Sequence, residues 1–197
     1  FGVKEVLEAL VEFAPARSAK WRLTGAADFN LDGGADLLWQ HETTGAIEIW
    51  LMNGTTFGSS VSLGPARRDP LEASIITIGT LEVAGIGDFN GDARADLLWQ
   101  NRLTGALEVS FLDGTTVLGS APLSPARAPG SLWTLEAVAD VTGDGKPDLV
   151  WRQIATGEIQ IWVLNGTTRT AVVGLTGVAY PGEPTVVPQR VPDARWR

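Results

Sequence analysis

The 197-residue sequence contains no cysteine, one histidine and one tyrosine. The absence of cysteine excludes disulfide bonds, thiolate metal sites and cysteine nucleophiles. No apolar run approaches the roughly 18 residues of a membrane-spanning helix, and no basic amphipathic helix indicates a membrane-surface segment. The sequence therefore predicts no direct insertion into a membrane. Since it begins at Phe1, without an initiator Met or a signal peptide, we expect a processed chain or part of a longer one.

Basic residues are also few, because 15 Lys and Arg stand against 23 Asp and Glu, giving a net charge of -8. Binding to a nucleic-acid backbone needs a basic face, so we expect no nucleic-acid partner. The acidity is concentrated in three stretches, "DFNLDGGADLLWQ", "DFNGDARADLLWQ" and "DVTGDGKPDLVWR", which hold nine of the twelve aspartates. Three bound Ca²⁺ ions would leave a net charge of -2, so a demand for metal explains this acidity better than a solvated acidic surface does.

The three acidic stretches begin at Asp28, Asp88 and Asp140 and open three copies of one repeat. In each copy, 25 residues separate the first aspartate from the Asn or Asp that precedes a Gly-Thr-Thr turn. A tryptophan recurs at one position of each copy, at Trp39, Trp99 and Trp151. The full periods are 60 and 52 residues. Fixed periods in this range are typical of solenoids and propellers.

Each copy predicts β-strands. The segments "AIEIWL", "ALEVSF" and "EIQIWV" alternate with period two, so that Ile47, Ile49 and Leu51 share one strand face. The Asn-Gly or Asp-Gly pair that follows favours a tight hairpin. The segment before the Thr-Gly turn, "ADLLWQ" in the first copy, predicts an interior strand, and one more strand on each side completes a four-stranded propeller blade. The predicted fold class is all-β, with about three four-stranded antiparallel β-propeller blades in an incomplete ring or part of a larger array.

The repeat boundaries predict blades at residues 20–67, 68–127 and 128–176. We expect residues 1–19 to form the end of a preceding blade or a short N-terminal helix. Residues 177–197 are expected to form a Pro-rich tail or the start of a next blade. Propellers typically have four to eight blades, and proteins avoid exposed edge strands, so we expect additional blades or subunits.

The first acidic stretch has the donor spacing of a calcium loop, because Ca²⁺ takes six to eight oxygens from carboxylates, carbonyls and water. Counting Asp28 as place one, the further ligands at places three, five, seven and nine are Asn30, Asp32, the backbone carbonyl of Gly34, and Asp36. An EF-hand would need Glu at place twelve, where all three copies have tryptophan. The sequence therefore predicts a complete loop of another kind, with its last ligand three residues earlier.

This constellation resembles the FG-GAP or VCBS-type repeats of the integrin alpha-chain N-terminal propeller, whose metal loops follow D-x-[DN]-x-D-G-x-x-D. The resemblance covers roughly residues 20 to 176 and implies Ca²⁺ between the first two strands of each blade. Position by position, the implied ligands are Asp28, Asn30, Asp32, Gly34 and Asp36; Asp88, Asn90, Asp92, Arg94 and Asp96; and Asp140, Thr142, Asp144, Lys146 and Asp148. Gly34, Arg94 and Lys146 would act through their backbone oxygens.

Two positions depart from the pattern. Ala93 occupies place six of the second loop, where a sharp turn favours glycine, and we expect its Cβ to strain that loop. Thr142 offers a hydroxyl at place three of the third loop. We therefore expect the first loop to be the strongest site. The alternative is that the aspartates only cap turns, but the three like charges of each loop would then repel with nothing to offset them.

The favoured function is a non-catalytic, calcium-binding β-propeller module for protein–protein interaction or adhesion. It is expected outside the cytoplasm (secreted, periplasmic or at the cell surface), where Ca²⁺ is plentiful, and as an accessory subunit of a larger assembly. The connection from Arg67 to Thr80 is the candidate contact with a protein partner, with a plain linker as the other explanation.

A carbohydrate-binding propeller lectin is the alternative function, with Trp50 and Trp162 as platforms on which sugars stack. Packing between neighbouring blades is the other explanation of these tryptophans. We expect no enzymatic activity, because His41 and Tyr180, the only His and Tyr in the sequence, have no evident partner for proton transfer.

Overall fold

The structure, a computed structural model, describes residues 18–63 and 81–175, which form twelve β-strands and no helix. Blade 1 comprises β1 (Trp21–Ala27), β2 (Asp36–His41), β3 (Ile47–Asn53) and β4 (Thr56–Ser62). Blade 2 comprises β5 (Leu81–Gly87), β6 (Asp96–Asn101), β7 (Ala106–Asp113) and β8 (Thr116–Arg127). Blade 3 comprises β9 (Trp133–Ala139), β10 (Asp148–Gln153), β11 (Ile159–Asn165) and β12 (Thr168–Leu175).

Within each blade the four strands pair in chain order and antiparallel, which confirms the predicted all-β blades. Blade 1 is a separate four-stranded sheet, whereas blades 2 and 3 share an eight-stranded sheet through their last strands. That link is short, since β12 and β8 pair in parallel at Thr168 and Ser124 alone. The predictions for the chain ends and for the connection from Arg67 to Thr80 concern residues outside the described ranges, apart from residues 18 and 19.

Three tight hairpins join the third and fourth strands of the blades, as the Asn-Gly and Asp-Gly pairs predict. Their glycines, Gly54, Gly114 and Gly166, have φ angles of 59°, 63° and 62°. Glycine adopts this left-handed conformation without a steric penalty, which explains its recurrence at this position.

The hydrophobic core lies between the blades rather than within one of them. One cluster joins Phe29, Leu38, Ile47 and Ile49 of blade 1 to Val83, Leu97, Trp99 and Leu112 of blade 2. A second cluster joins Phe89, Leu98, Leu107, Val109 and Leu123 of blade 2 to Leu149, Trp151, Trp162 and Leu164 of blade 3. The strand face predicted for Ile47 and Ile49 is therefore the face that meets the next blade.

The two tryptophans considered as sugar platforms are buried. Trp50 is 4% exposed and lies 5.1 Å from Trp39 and 5.0 Å from Phe57, measured between ring centroids. Trp162 is 1% exposed and lies 5.4 Å from Trp151 in the core between blades 2 and 3. A buried ring has no free face for a sugar, so this structure does not support sugar stacking on either residue and favours the packing explanation.

The first strands of neighbouring blades approach closely at glycines. A Cβ atom placed on Gly25 of β1 would lie under 3.0 Å from the side chain of Ile86 of β5. One placed on Gly85 of β5 would lie equally close to the side chain of Val138 of β9. Real Cβ atoms essentially never make such contacts. The side chains of Ile86 and Val138 thus occupy the space that the glycine of the preceding blade leaves open.

Gln40 holds blades 1 and 2 together through backbone atoms. Its side-chain amide nitrogen donates to the carbonyl of Leu81 at 3.1 Å, and its amide oxygen accepts from the N–H of Val83 at 3.1 Å. Gln40 is buried, so both of its polar atoms need partners. The side-chain amide of Gln40 therefore bonds to β5 as the backbone amide of a neighbouring strand would, and nothing in the sequence around Gln40 indicates this role.

Candidate metal centres

The three acidic loops occupy equivalent places, each connecting the first and second strands of its blade. In the first loop, the carboxylate of Asp28 accepts hydrogen bonds from the N–H groups of Asp32 at 3.1 Å and Gly33 at 2.9 Å. Asp32 in turn accepts the N–H of Gly34 at 2.8 Å. The aspartates at places one and five therefore fold the loop around their own carboxylates. Equivalent bonds bind residues 91–94 to Asp88 and Asp92, and residues 143–146 to Asp140 and Asp144.

The aspartate at place nine has a different environment, because it is fully buried in all three blades. Asp36 accepts the N–H of Phe29 at 3.0 Å with one carboxylate oxygen and the N–H of Met52 at 2.8 Å with the other. It thus joins the start of the loop to the end of β3. The same two connections are made by Asp96, to Phe89 and Leu112, and by Asp148, to Val141, Thr142 and Leu164.

The carboxylates differ in their electrostatic surroundings. Burial raises the pKa of Asp96, against the lowering effect of its two backbone hydrogen bonds, and the charges of Asp92 and Asp88 raise the pKa further. Hydrogen bonds from backbone N–H groups, that of Gly145 foremost, lower the pKa of the exposed Asp140. The negative charges of the second loop therefore act on one another.

The donor set fits calcium in its chemistry. Carboxylates, an amide or hydroxyl and backbone carbonyls are the hard oxygen ligands that Ca²⁺ takes. The loop carboxylates accept one to three N–H bonds each, and a carboxylate has about four lone-pair sites, so these N–H groups leave at least one open on each of them. Within residues 18–63 and 81–175, however, no three acidic or histidine side chains are gathered closely enough to hold an ion. The side chains serve loop hydrogen bonds instead. The predicted ligands thus lie in the three loops and in the first residue of the strand that follows each loop, and calcium binding stays a prediction.

Two places in every loop have left-handed backbone. Place six, at Gly33, Ala93 and Gly145, has φ angles of 88°, 63° and 82°, and place four, at Leu31, Gly91 and Gly143, has 60°, 81° and 75°. The strain expected at Ala93 is therefore present, but the first loop carries the same strain at Leu31, which the sequence analysis missed. The third loop has glycine at both places. Backbone strain thus gives the first loop no advantage over the others.

Replacing the strained residues with glycine tests this conclusion. We expect Leu31→Gly and Ala93→Gly each to raise the free energy of unfolding by up to about 1 kcal/mol, because the cost of a left-handed residue exceeds the entropy that glycine adds to the unfolded chain. The matched control is Gly143→Ala, which should lower it by a similar amount, since a Cβ there meets nothing within 4 Å and changes only the backbone preference. Urea denaturation measures the free energy of unfolding of the three variants. Midpoints identical to that of the parent would show that the left-handed backbone at these positions carries no strain.

The opposite ends of the blades carry a second repeated feature. The Nδ1 atom of His41 accepts the N–H groups of Thr43 and Thr44 at 3.3 Å and 3.2 Å, and so caps the turn after β2. Asn101 and Gln153 occupy the equivalent positions, and their side-chain oxygens accept the N–H groups of Leu103 and Thr104 and of Ala155 and Thr156. The sequence contains a signal for this cap, because each copy has a side chain with a hydrogen-bond acceptor at the same position before the Thr-Gly turn. The turn needs a hydrogen-bond acceptor, not a titrating group.

Beside this end, a cavity of about 170 Å³ lies between blades 1 and 2. The Glu82 carboxylate within it pairs with Arg22 at 3.2 Å and with Arg102. The hydrogen bond from Arg102 to Glu82 raises the pKa of this arginine. Both arginines of the cavity are thus engaged by the single carboxylate of Glu82, and a structural ion-pair group accounts for these three side chains.

Two overlapping regions, residues 28–99 and 88–151, match the FG-GAP-like repeat family. Each match begins at place one of an acidic loop and ends at the tryptophan of the next blade's second strand. Together they cover more than half of the chain. The chain belongs to the FG-GAP-like repeat family.

Membership in the FG-GAP family confirms the resemblance drawn from the loops. FG-GAP repeats are typical of extracellular proteins, and the family is generally non-catalytic. In the described part of this FG-GAP chain, no helix has the length and apolarity to cross a membrane. Comparisons with curated proteins and with solved structures gave no match.

Proposed function

We propose that this FG-GAP chain is a calcium-binding, non-catalytic propeller module that acts outside the cytoplasm and binds a protein partner. The observation that carries the calcium part of the proposal is the threefold recurrence of one loop, with the same three aspartates at places one, five and nine and the same hydrogen-bonded backbone. Three carboxylates within nine residues repel one another in the absence of a cation. A divalent ion bound among them offsets this repulsion.

Calcium would have a structural role here. The carboxylate at place nine is bonded to both the loop and the third strand, as in Asp96, so an ion that draws on this carboxylate would stiffen the connection between the first three strands of a blade. FG-GAP repeats are typical of extracellular proteins, where calcium is abundant enough to occupy sites with dissociation constants of about 10⁻⁴ to 10⁻³ M.

A non-catalytic role is supported by the position of His41. Its Nδ1 atom is engaged by two backbone N–H groups, and its ring lies edge-on against Trp21 at 5.1 Å. The equivalent residues Asn101 and Gln153 cannot transfer protons at neutral pH and fill the same structural role. The carbohydrate alternative depended on Trp50 and Trp162, and we do not propose it, because both rings are buried.

Calcium is expected to raise the melting temperature. At a free calcium concentration about 100 times the dissociation constant, each occupied site adds about 2.7 kcal/mol to the free energy of unfolding. Calorimetry of the whole chain in calcium chloride and in a chelator, with magnesium at equal ionic strength as the control, measures the shift. A transition that is unchanged by calcium would overturn the calcium part of the proposal.

A loop variant assigns the effect to the proposed sites. Asp28→Asn, Asp88→Asn and Asp140→Asn in one chain retain an acceptor oxygen at place one of every loop but remove three negative charges. We expect this triple variant to fold in chelator and to lose most of its stabilisation by calcium. Full retention of the calcium effect would place the ion elsewhere.

A further inference from the structure

The three blades join through one repeated junction. In each junction, a trailing face of one blade, formed around its loop and its second and third strands, packs against a leading face of the next blade. Two such faces have no neighbour in the described part of the chain. We call them the leading face of blade 1, with Leu23, Ala26, Leu37, Trp39, Met52 and Gly54, and the trailing face of blade 3, with Ala137, Val141, Val150, Ile159 and Ile161.

The trailing face of blade 3 has the apolar character of a junction but lacks its cover. Val141 occupies place two of its loop and is 47% exposed, whereas the equivalent Phe29 and Phe89 are buried under the next blade. Val150 is likewise half-buried, where its counterpart Leu98 is fully buried. Ile161 of this face is still buried at 8% exposure, but Val141 and Val150 are less buried than the residues at their positions in the two internal junctions.

The leading face of blade 1 shows the same change. Leu23 is 49% exposed, whereas its counterpart Val83 in blade 2 is 6% exposed in the first core cluster. Met52 is half-buried, whereas its counterpart Leu112 is fully buried. Each exposed face thus carries the residue types with which the internal faces meet a partner.

The hairpin glycines give an independent sign of the open junction. A Cβ on Gly114 would lie 3.1 Å from the carbonyl oxygen of Phe29 in the preceding blade, and one on Gly166 would lie 3.2 Å from that of Phe89. Gly54, the counterpart in blade 1, is exposed and would meet nothing within 4 Å. The hairpin of blade 1 is therefore free to cover a loop such as that of blade 3.

The side-chain sizes on the two open faces match one another. At the internal junctions a large residue fills the space over a glycine, Ile86 over Gly25 and Val138 over Gly85. On blade 3, the residue equivalent to Gly25 and Gly85 is Ala137, whose Cβ already occupies part of that space. On blade 1, the residue equivalent to Ile86 and Val138 is Ala26, which is correspondingly small. Both alanines are exposed, and they complement one another in volume.

We propose that the leading face of blade 1 docks onto the trailing face of blade 3 of a second copy, head to tail. In a closed pair of copies both junctions are identical, and head-to-tail contacts of this kind form a ring when the rotation between the copies is half a turn. The six described blades of such a pair fall within the range of about four to eight that propellers adopt. The assembly buries Leu23 and Val141 and places the hairpin of Gly54 over the loop that begins at Asp140.

Light scattering after size-exclusion chromatography tests the inference on the whole chain over a range of concentrations. We expect a mass twice the 20.9 kDa of one chain. Ala26→Ile should overfill the space at Ala137 and weaken the association by about tenfold to a hundredfold. The double variant Ala26→Ile with Ala137→Gly recreates the isoleucine–glycine pair of the first junction and should restore the pair of chains. The exposed turn residue Ala155 provides the matched control Ala155→Ile, which should associate like the parent.

A monomeric parent at every concentration would overturn the inference, and so would a dimer that Ala26→Ile leaves unchanged. Each sample is also melted with calcium and with chelator. A monomer that calcium stabilises would remove the head-to-tail pair and retain the proposed function, so the two outcomes are separable. Ala26→Ile is also melted at a concentration at which the chains do not associate. A cooperative transition there shows that the variant folds.

Discussion

Asp96→Ala is expected to lower the free energy of unfolding by about 2–5 kcal/mol, even in chelator, because it leaves two buried N–H groups without a partner. These groups belong to Phe89 in the loop and Leu112 in the third strand, at 2.9 Å and 2.8 Å from the carboxylate. For a chain of this size the loss corresponds to a fall in melting temperature of about 5–15 °C. Calorimetry in chelator measures it without any contribution from bound metal.

The matched control lies in the same loop. Asp92 is exposed and accepts the N–H of Arg94 and the side-chain amide of Asn90, so water can replace its bonds. Asp92→Ala should therefore cost less than about 1 kcal/mol in chelator. In calcium, both variants should lose the stabilisation that the second loop contributes. Equal losses in chelator would show that the buried carboxylate does not hold the blade together.

Gly85→Ala is expected to lower the free energy of unfolding by about 1–3 kcal/mol, because the new Cβ would overlap the side chain of Val138 across the junction of blades 2 and 3. A branched side chain on a strand has few alternative rotamers, so Val138 cannot move aside cheaply. Chemical denaturation measures the loss. Gly119→Ala is the matched control, since Gly119 also lies in a strand of blade 2 but a Cβ there meets nothing within 4 Å.

Coupling between the two positions gives a sharper test. Val138→Ala alone removes part of the junction core and should destabilise the protein. Combined with Gly85→Ala, it makes room for the new Cβ, so the double variant should be at least about 1 kcal/mol more stable than the two single losses predict. Strict additivity would show that the two residues do not share this space. The resulting alanine pair also reproduces the contact that we propose between Ala26 and Ala137.

The fold was predictable because the same pattern of loop, strands and turns occurs three times in one sequence. Three copies with equal internal spacing located the loops, the Asn-Gly or Asp-Gly hairpins and the strand face of Ile47 and Ile49. Each of these depends on residues that are near in sequence, such as a glycine that a left-handed turn requires. The acidic loops were predictable for the same reason, since their donors lie within nine residues.

The features that the sequence analysis missed depend on residues from different blades or on the path of the backbone. Gln40 reaches across a junction to backbone atoms of blade 2, and nothing in its own strand indicates that partner. Trp50 and Trp162 each share a strand face with a polar residue, and this pattern suggested that their rings are accessible. In the folded chain, neighbouring aromatic residues pack against both rings, and the rings are buried. Leu31 was missed because leucine does not signal a left-handed turn.

The sequence by itself determined the blade, its loops and the identity of the oxygen donors, since local spacing and charge set them. Only the tertiary structure decided how the aspartates are used. Those at places one and five are accessible and fold the loop, whereas Asp36, Asp96 and Asp148 are buried and join the loop to a strand that lies 16 residues later. Burial makes this difference, because a carboxylate removed from water must find N–H donors in the protein, and where those donors lie is a property of the packed blade.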